Sequence, residues 1–128
     1  MWYFDEEKLL LAHYKLIEQF GGSHGVRDIE RVRSALETPK MTIFEKDQYK
    51  TLFEKSAVYI RNIISDHPFV DGNKRTGISA GIFFLEKNNV QLSFNKGELE
   101  DFAVKVAVEK LDITAIAKWL EAHSTTKK

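Results

Sequence analysis

His67, Asp71, Asn73, Lys74 and Arg75 lie within one short run, His67-Pro68-Phe69-Val70-Asp71-Gly72-Asn73-Lys74-Arg75-Thr76-Gly77. An imidazole titrates near neutral pH and can take the proton of an attacking hydroxyl, so His67 is the candidate general base. Asp71 offers a hard carboxylate ligand for Mg²⁺ bridging nucleotide phosphates. An apolar helical pattern begins at once after the run, which places Asn73, Lys74 and Arg75 at a helix N-terminus, where unpaired N–H groups and partial positive charge hold anions. Gly72 permits a backbone geometry or close approach that a side chain would block. Taken singly, His67 also reads as a helix cap, Asp71-Gly72 as a surface turn and Lys74-Arg75 as solvated charge. Together they read as a phosphate-handling active site, with Pro68 and Phe69 structural and Phe69 an apolar pin for the loop.

The elements that must position this run are helical. Asp5 is a fitting N-cap, with a Phe4/Leu9 staple, for a helix whose stripe is Leu9, Ala12, His13, Leu16, Ile17 and Phe20, stopped by Gly21-Gly22. A short helix is expected over Arg27 to Leu36, with Ile29, Val32 and Leu36 on one side and Pro39 at its end. Lys40 to Tyr49 has no helical period, and Met41, Thr42, Ile43 and Phe44 suggest an extended flap or an ordinary loop. Leu52, Phe53, Ser56, Ile60, Ile63 and Ile64 form a third stripe, closed by Pro68, which disfavours helix at His67. From Lys74 onward Ile78, Gly81, Ile82 and Leu85 form a fourth, expected to be central because Gly77, Ala80 and Gly81 admit a close neighbour. Asn95 with Glu98 predicts a cap for a helix through Leu99, Phe102, Ala103 and Val106, and Asp112 caps a last one bearing Ile113, Ile116, Ala117 and Leu120. The expectation is an all-α, compact helical bundle in one domain, residues 1–123, with a polar tail over 124–128.

At 128 residues the chain suits one domain. Nineteen basic and nineteen acidic residues cancel, which argues against the broad positive field of a nucleic-acid-coating protein. Cysteine is absent, excluding disulfides and thiolate zinc sites. No signal peptide or membrane-spanning run is evident, so the expected location is cytoplasmic.

The run from His67 to Thr76 resembles the signature of the Fic/Doc superfamily, and specifically its death-on-curing (Doc) toxin branch. Gly21-Gly22-Ser23-His24-Gly25-Val26-Arg27-Asp28 and Ser34-Ala35-Leu36-Glu37-Thr38-Pro39 also resemble the N-terminal pattern of that branch, so the likeness extends over roughly residues 4 to 120. It implies a Fic-type helical fold holding a nucleotide over the loop. Fic enzymes that adenylylate proteins have glycine after the asparagine and a second arginine three residues beyond the first. Here Lys74 and Ile78 stand at those places. The Doc branch shares the lysine and implies a kinase, which passes the terminal phosphate of ATP or another nucleoside triphosphate to a translation elongation factor, elongation factor Tu in the prototype. The implied roles are His67 as base, Asp71 on Mg²⁺, Gly72 allowing close approach, and Asn73, Lys74 and Arg75 on phosphates.

The branch further implies an antitoxin on another chain, whose segment folds on contact. The inhibitory Ser/Thr-x-x-x-Glu-Gly/Asn motif that some Fic proteins carry is not found in the sequence. Trp2-Tyr3-Phe4 is a candidate antitoxin surface, or else core. The segment Met41, Thr42, Ile43 and Phe44 is a candidate docking flap for the target. Two other functions remain open at this point: AMP transfer to protein, and a non-catalytic helical module in which Arg27, Arg31 and Arg33 contact DNA.

Overall fold

The Asp5 side chain accepts the N–H of Lys8 and starts α1 (Glu6–Phe20), which ends at Gly21 with φ 89°. Phe4 and Leu9 on either side of that cap are buried in the same core, the arrangement of a hydrophobic staple. Asp28 accepts from Glu30 and Arg31 and starts α2 (Ile29–Glu37), two residues later than the expected Arg27. A single 3₁₀ turn, Thr38–Lys40, leads into a hairpin of β1 (Thr42–Ile43) and β2 (Lys46–Asp47), with Thr42 opposite Asp47 and Ile43 opposite Lys46. Phe44 and Glu45 form its two-residue turn at φ 49° and 66°, the backbone form that matches strand twist although asparagine and glycine fill it with less strain. The extended flap is therefore a small hairpin. This computed structural model describes residues 1–125.

A reciprocal capping box of Thr51 and Glu54 begins α3 (Leu52–Asp66), and α4 (Asn73–Lys87), α5 (Glu98–Glu109) and α6 (Ile113–Ala122) follow. Asp112 caps α6 through Ala115 N–H. At α5 the expected Asn95 cap is only half made. Glu98 reaches back to the Asn95 N–H at 2.9 Å, but left-handed Gly97 is the residue that enters the helix. The expected tail from Ser124 begins as structure, since Ser124 bridges Leu92 and the Thr125 N–H donates to Gln91 O at 2.9 Å; residues 126–128 of that tail lie outside the described residues.

The centre of the bundle is α3, not α4 as the small residues of α4 suggested. Residues 55–60 of α3 are buried without a break, and the helix packs against α2, α4, α5 and α6. The expected close approach is nonetheless present. A Cβ on Gly77 would come 2.9 Å from Ile64 Cγ1 and 3.1 Å from Ile60 O, and one on Gly81 would come 2.9 Å from Ser56 Oγ. Ser56 Oγ–H donates to Gly81 O at 2.8 Å, so the two backbones are held by a hydrogen bond as well as by apolar contact.

Trp2-Tyr3-Phe4 belongs mainly to the core. Asn88 brackets Trp2, accepting its N–H and donating to its carbonyl, both at 2.9 Å, and Tyr59 Oη accepts the Phe4 N–H at 3.3 Å. Phe4 is buried while Trp2 and Tyr3 pack against the core half-buried.

Because α3 and α4 carry the two ends of the motif, their spacing is the first thing a substitution can disturb. Gly81→Ala adds about 1 kcal/mol of helix propensity but overpacks the α3 contact at about 1–3 kcal/mol. A net loss of about 1 kcal/mol in urea unfolding is expected, and a gain in stability would show that the helices have room to spare.

Candidate active site

α3 ends at Asp66 because His67 turns left-handed, with φ 49° and ψ 58°. That conformation costs a residue with a side chain about 1–2 kcal/mol and persists where neighbours dictate it. Here the neighbours are arginines. Arg27 donates from Nε to His67 O at 2.6 Å and from its guanidinium to Asp66 O at 2.7 Å, and Arg31 donates to Asp66 O at 3.1 Å. They satisfy carbonyls that a helix C-terminus leaves bare and sit at the negative end of its dipole. The His67 imidazole is exposed, with Nδ1 3.2 Å from Ser65 O. A carbonyl can only accept, which places the proton on Nδ1 and leaves the Nε2 lone pair for a hydroxyl.

The loop from Pro68 to Gly72 is held on three sides. Phe69, fully buried, is bracketed by Asn73: its N–H donates to Oδ1 and its carbonyl accepts from Nδ2, each at 3.0 Å. Segment 25–28 runs alongside, with Arg27 and Asp28 N–H on Pro68 O at 2.8 and 3.1 Å and Val70 N–H on Gly25 O at 3.0 Å. From α1, His13 lies flat on Phe69, ring centroids 3.9 Å apart and planes at 6°, and its Nε2 is 2.8 Å from Asp71 O. Burial pushes the His13 pKa down, keeping the ring neutral, and the carbonyl acceptor fixes its proton on Nε2.

Asp71 points its carboxylate to the surface. Oδ1 accepts the Gly72 N–H at 2.8 Å and Oδ2 the Ser23 N–H at 3.1 Å. Those two amides, Ser23 first, hold its carboxyl below the usual range and so ionised. Each oxygen keeps capacity for a further partner. Gly22 and Gly72 make the approach possible. A Cβ on Gly22 (φ 118°) would come 2.8 Å from Asp71 Oδ2, and one on Gly72 (φ 74°) would come 3.0 Å from Ile17 Cδ1.

Gly72 enters α4 without a side-chain cap, and the first turn of α4 holds no acidic residue. Lys74 and Arg75 stand exposed there, the Arg75 guanidinium 4.3 Å above the Phe20 ring centroid. Cations at a helix N-terminus oppose its dipole, so the arrangement is relieved by a bound anion. For a metal, Asp71 is the available ligand. Among the described residues no group of three or more His, Cys, Asp or Glu is placed to cage one. Mg²⁺ is usually held through one or two carboxylates plus substrate phosphates and water, so the donor set fits Mg²⁺ arriving with a nucleotide.

Of the expected site residues, His67, Asp71, Gly72, Lys74 and Arg75 gather at this junction. Asn73 does not join them: its side chain is buried and engaged by the loop's own backbone, not turned toward a ligand. Met41, Thr42, Ile43 and Phe44 are exposed on the hairpin, Phe44 at 94%. The hairpin is anchored at its base, where buried Lys55 donates to Pro39 O and Asp47 Oδ2, both at 3.2 Å. Lys55 precedes His67 by twelve residues, about 18 Å along α3, so the hairpin base stands apart from the candidate site. Arg27, Arg31 and Arg33 do not form a DNA-contacting face. The first two cap α3, and Arg33 pairs with Glu6 and Glu30 at 3.1 and 3.4 Å. Phe20, expected on the buried stripe of α1, is 54% exposed and supports Arg75. His13 and Arg27 were not read as loop-holding residues; the one hint at His13 is a polar ring on an otherwise apolar stripe.

These features define an all-α domain built around a helix–loop–helix junction whose second helix begins uncapped and with basic residues. The family model described as the Fic/DOC family matches residues 3–85. The chain is 36% identical over 117 residues to Toxin Doc of Mycolicibacterium smegmatis, covering 90% of this chain and 88% of that protein. It is 31% identical over 114 residues to Protein kinase doc of Escherichia phage P1, covering 89% of each. The chain belongs to the Fic/Doc family.

Asn73→Ala leaves the buried N–H and carbonyl of Phe69 without partners, at about 1–3 kcal/mol for each group. Urea unfolding is expected to show a loss of about 2–6 kcal/mol, and an unchanged midpoint would mean that the bracket does not hold the loop.

Proposed function

We propose that this protein is the toxin of a toxin–antitoxin pair and acts as a kinase, moving the γ-phosphate of ATP or another nucleoside triphosphate to a hydroxyl of a translation elongation factor, elongation factor Tu being the first to test. The name Protein kinase doc borne by the phage P1 relative favours this activity. The observation that carries the choice over AMP transfer is Ile78. It stands where adenylylating Fic enzymes place a second arginine, and it is only 7% exposed within the core, so that position presents no cation to a nucleotide. Lys74 instead adds an ammonium at the helix start.

In the proposed reaction His67 Nε2 takes the acceptor hydroxyl's proton as its oxygen attacks the γ-phosphorus. The bond from that phosphorus to the bridging oxygen breaks, and the nucleoside diphosphate leaves. Positioning and charge neutralisation carry most of such a transfer. The α4 N–H groups, Lys74 and Arg75 face the phosphates, and Asp71 would hold Mg²⁺, which supplies charge neutralisation between them. The hairpin offers a free strand edge, with Phe44 at its tip, along which a target backbone can pair.

Parallel assays with γ- and α-labelled ATP and purified elongation factor test the reading. Label is expected in protein only from the γ position, only with magnesium, and reduced about 10²–10⁴-fold by His67→Ala. Transfer of α-label would establish AMP transfer instead, and transfer of neither would favour a non-catalytic module.

A toxin requires restraint, which we assign to an antitoxin on another chain. A groove of about 380 Å³ between α1 and α4 is lined by Trp2, Leu11, Leu16 and Phe83, with Lys8, Lys15 and Lys87 beside them. An amphipathic helix with acidic flanks matches it in polarity and charge. None of residues 67–76 lines the groove. The double change Lys15→Glu, Lys87→Glu is expected to weaken antitoxin binding at least tenfold in calorimetry while transfer continues, and unaltered affinity would place the antitoxin elsewhere.

A further inference from the structure

We infer that His13 is a positioning residue for the transfer: it holds the Asp71 peptide so that the carboxylate stands where the metal is bound. The inference rests on the kinase reading above for what Asp71 does, but its geometry stands alone. His13 is 4% exposed, on the face of α1 that meets the loop, and two contacts with the loop converge on it. Its ring covers Phe69, the loop's buried pin. Its Nε2–H donates to the backbone oxygen of Asp71 at 2.8 Å. A Cβ on Gly72 would lie 3.8 Å from Nε2, so the same ring also abuts the residue that opens α4.

Removing that donor acts on Asp71 from one side only. In the unaltered protein the carboxylate accepts the amides of Ser23 and Gly72 on its two oxygens, so those amides report any shift of it. Gly72, however, follows directly on the freed peptide, so a rotation of the Asp71 carbonyl moves both the carboxylate and the entry to α4. A positioning group that touches neither nucleotide nor acceptor changes the geometry of the metal ligand without changing its charge. The effect should therefore fall on the magnesium requirement more than on the fold.

The test pairs His13→Phe, which keeps a flat ring on Phe69 and removes the donor, with His13→Gln, which keeps an N–H donor and removes the ring. His13→Phe is expected to raise the magnesium concentration for half-maximal transfer about tenfold and to speed hydrogen exchange at the Ser23 and Gly72 amides. His13→Gln should restore much of both. Wild-type magnesium dependence and wild-type exchange in a folded His13→Phe protein would overturn the inference. If that variant does not fold, nitrogen NMR of the unaltered protein decides: Nε2 must carry a proton, and a ring protonated on Nδ1 alone would leave the Asp71 carbonyl facing a lone pair and refute the contact. A wild-type protein that transfers no phosphate at all would defeat the kinase reading, while the exchange and tautomer results would still judge His13.

Discussion

A chain that leaves one buried helix and enters another within six residues must still find partners for every peptide group it buries. That requirement organises this molecule. Between Asp66 and Asn73 no regular ladder is available, so the partners come from side chains and from a distant strand of backbone. Asn73 takes the peptide groups of Phe69, Arg27 takes the carbonyls at the end of α3, residues 25–28 pair with Pro68 and Val70, and His13 takes Asp71 O. Each partner that satisfies the loop inward leaves a reactive group facing outward. His67 and Asp71 are exposed on either side of the buried Pro68 and Phe69.

The two helix termini at the junction are treated in opposite ways. The C-terminus of α3 is neutralised by Arg27 and Arg31, which lie on its bare carbonyls. The N-terminus of α4 has no side-chain cap and carries Lys74 and Arg75, although α1, α2, α3 and α6 all begin with a capping side chain. At α5, which also lacks one, the first turn holds Glu98, Glu100 and Asp101 and so complements the dipole. Among the α-helices of the described residues, only α4 combines an absent side-chain cap with a first turn that is basic and holds no acidic residue. Local rules are broken most often where function needs them broken, and an uncapped helix start with basic residues is the arrangement that the proposed phosphate role requires.

Much of this was legible in the residues. Asp5, Asp112 and Gly21 mark their helix ends as side-chain chemistry says they should, and Pro68 marks the end of α3. Gly77 and Gly81 announce a close helix pair because nothing but a hydrogen fits at them. What the residues do not disclose is a side chain's direction where it depends on chain returning from far away. Asn73 has the donors and acceptors for a phosphate or for a peptide, and its type does not distinguish the two. Phe69 decides, because burying that ring carries its peptide groups inside and Asn73 is the neighbour four residues on. Arg27 likewise reads as free charge until residues 25–28 are seen beside the loop, forty residues along the chain. The centrality of α3 was missed for a related reason: small residues on α4 mark the contact but not which partner is surrounded.

The same dependence explains why the glycines matter as a set. Gly22 and Gly72 belong to different segments, yet both are needed for one carboxylate, Gly22 by leaving space at Oδ2 and Gly72 by giving its N–H to Oδ1 from a left-handed turn. Ionisation of Asp71 follows from those amides and not from a nearby cation as the first cause. A carboxylate held by backbone N–H groups keeps its charge without a salt bridge, and Lys74 adds only a lesser attraction through space. Both signs of charge coexist within one short loop, which is what the proposed binding of a metal together with its polyphosphate requires.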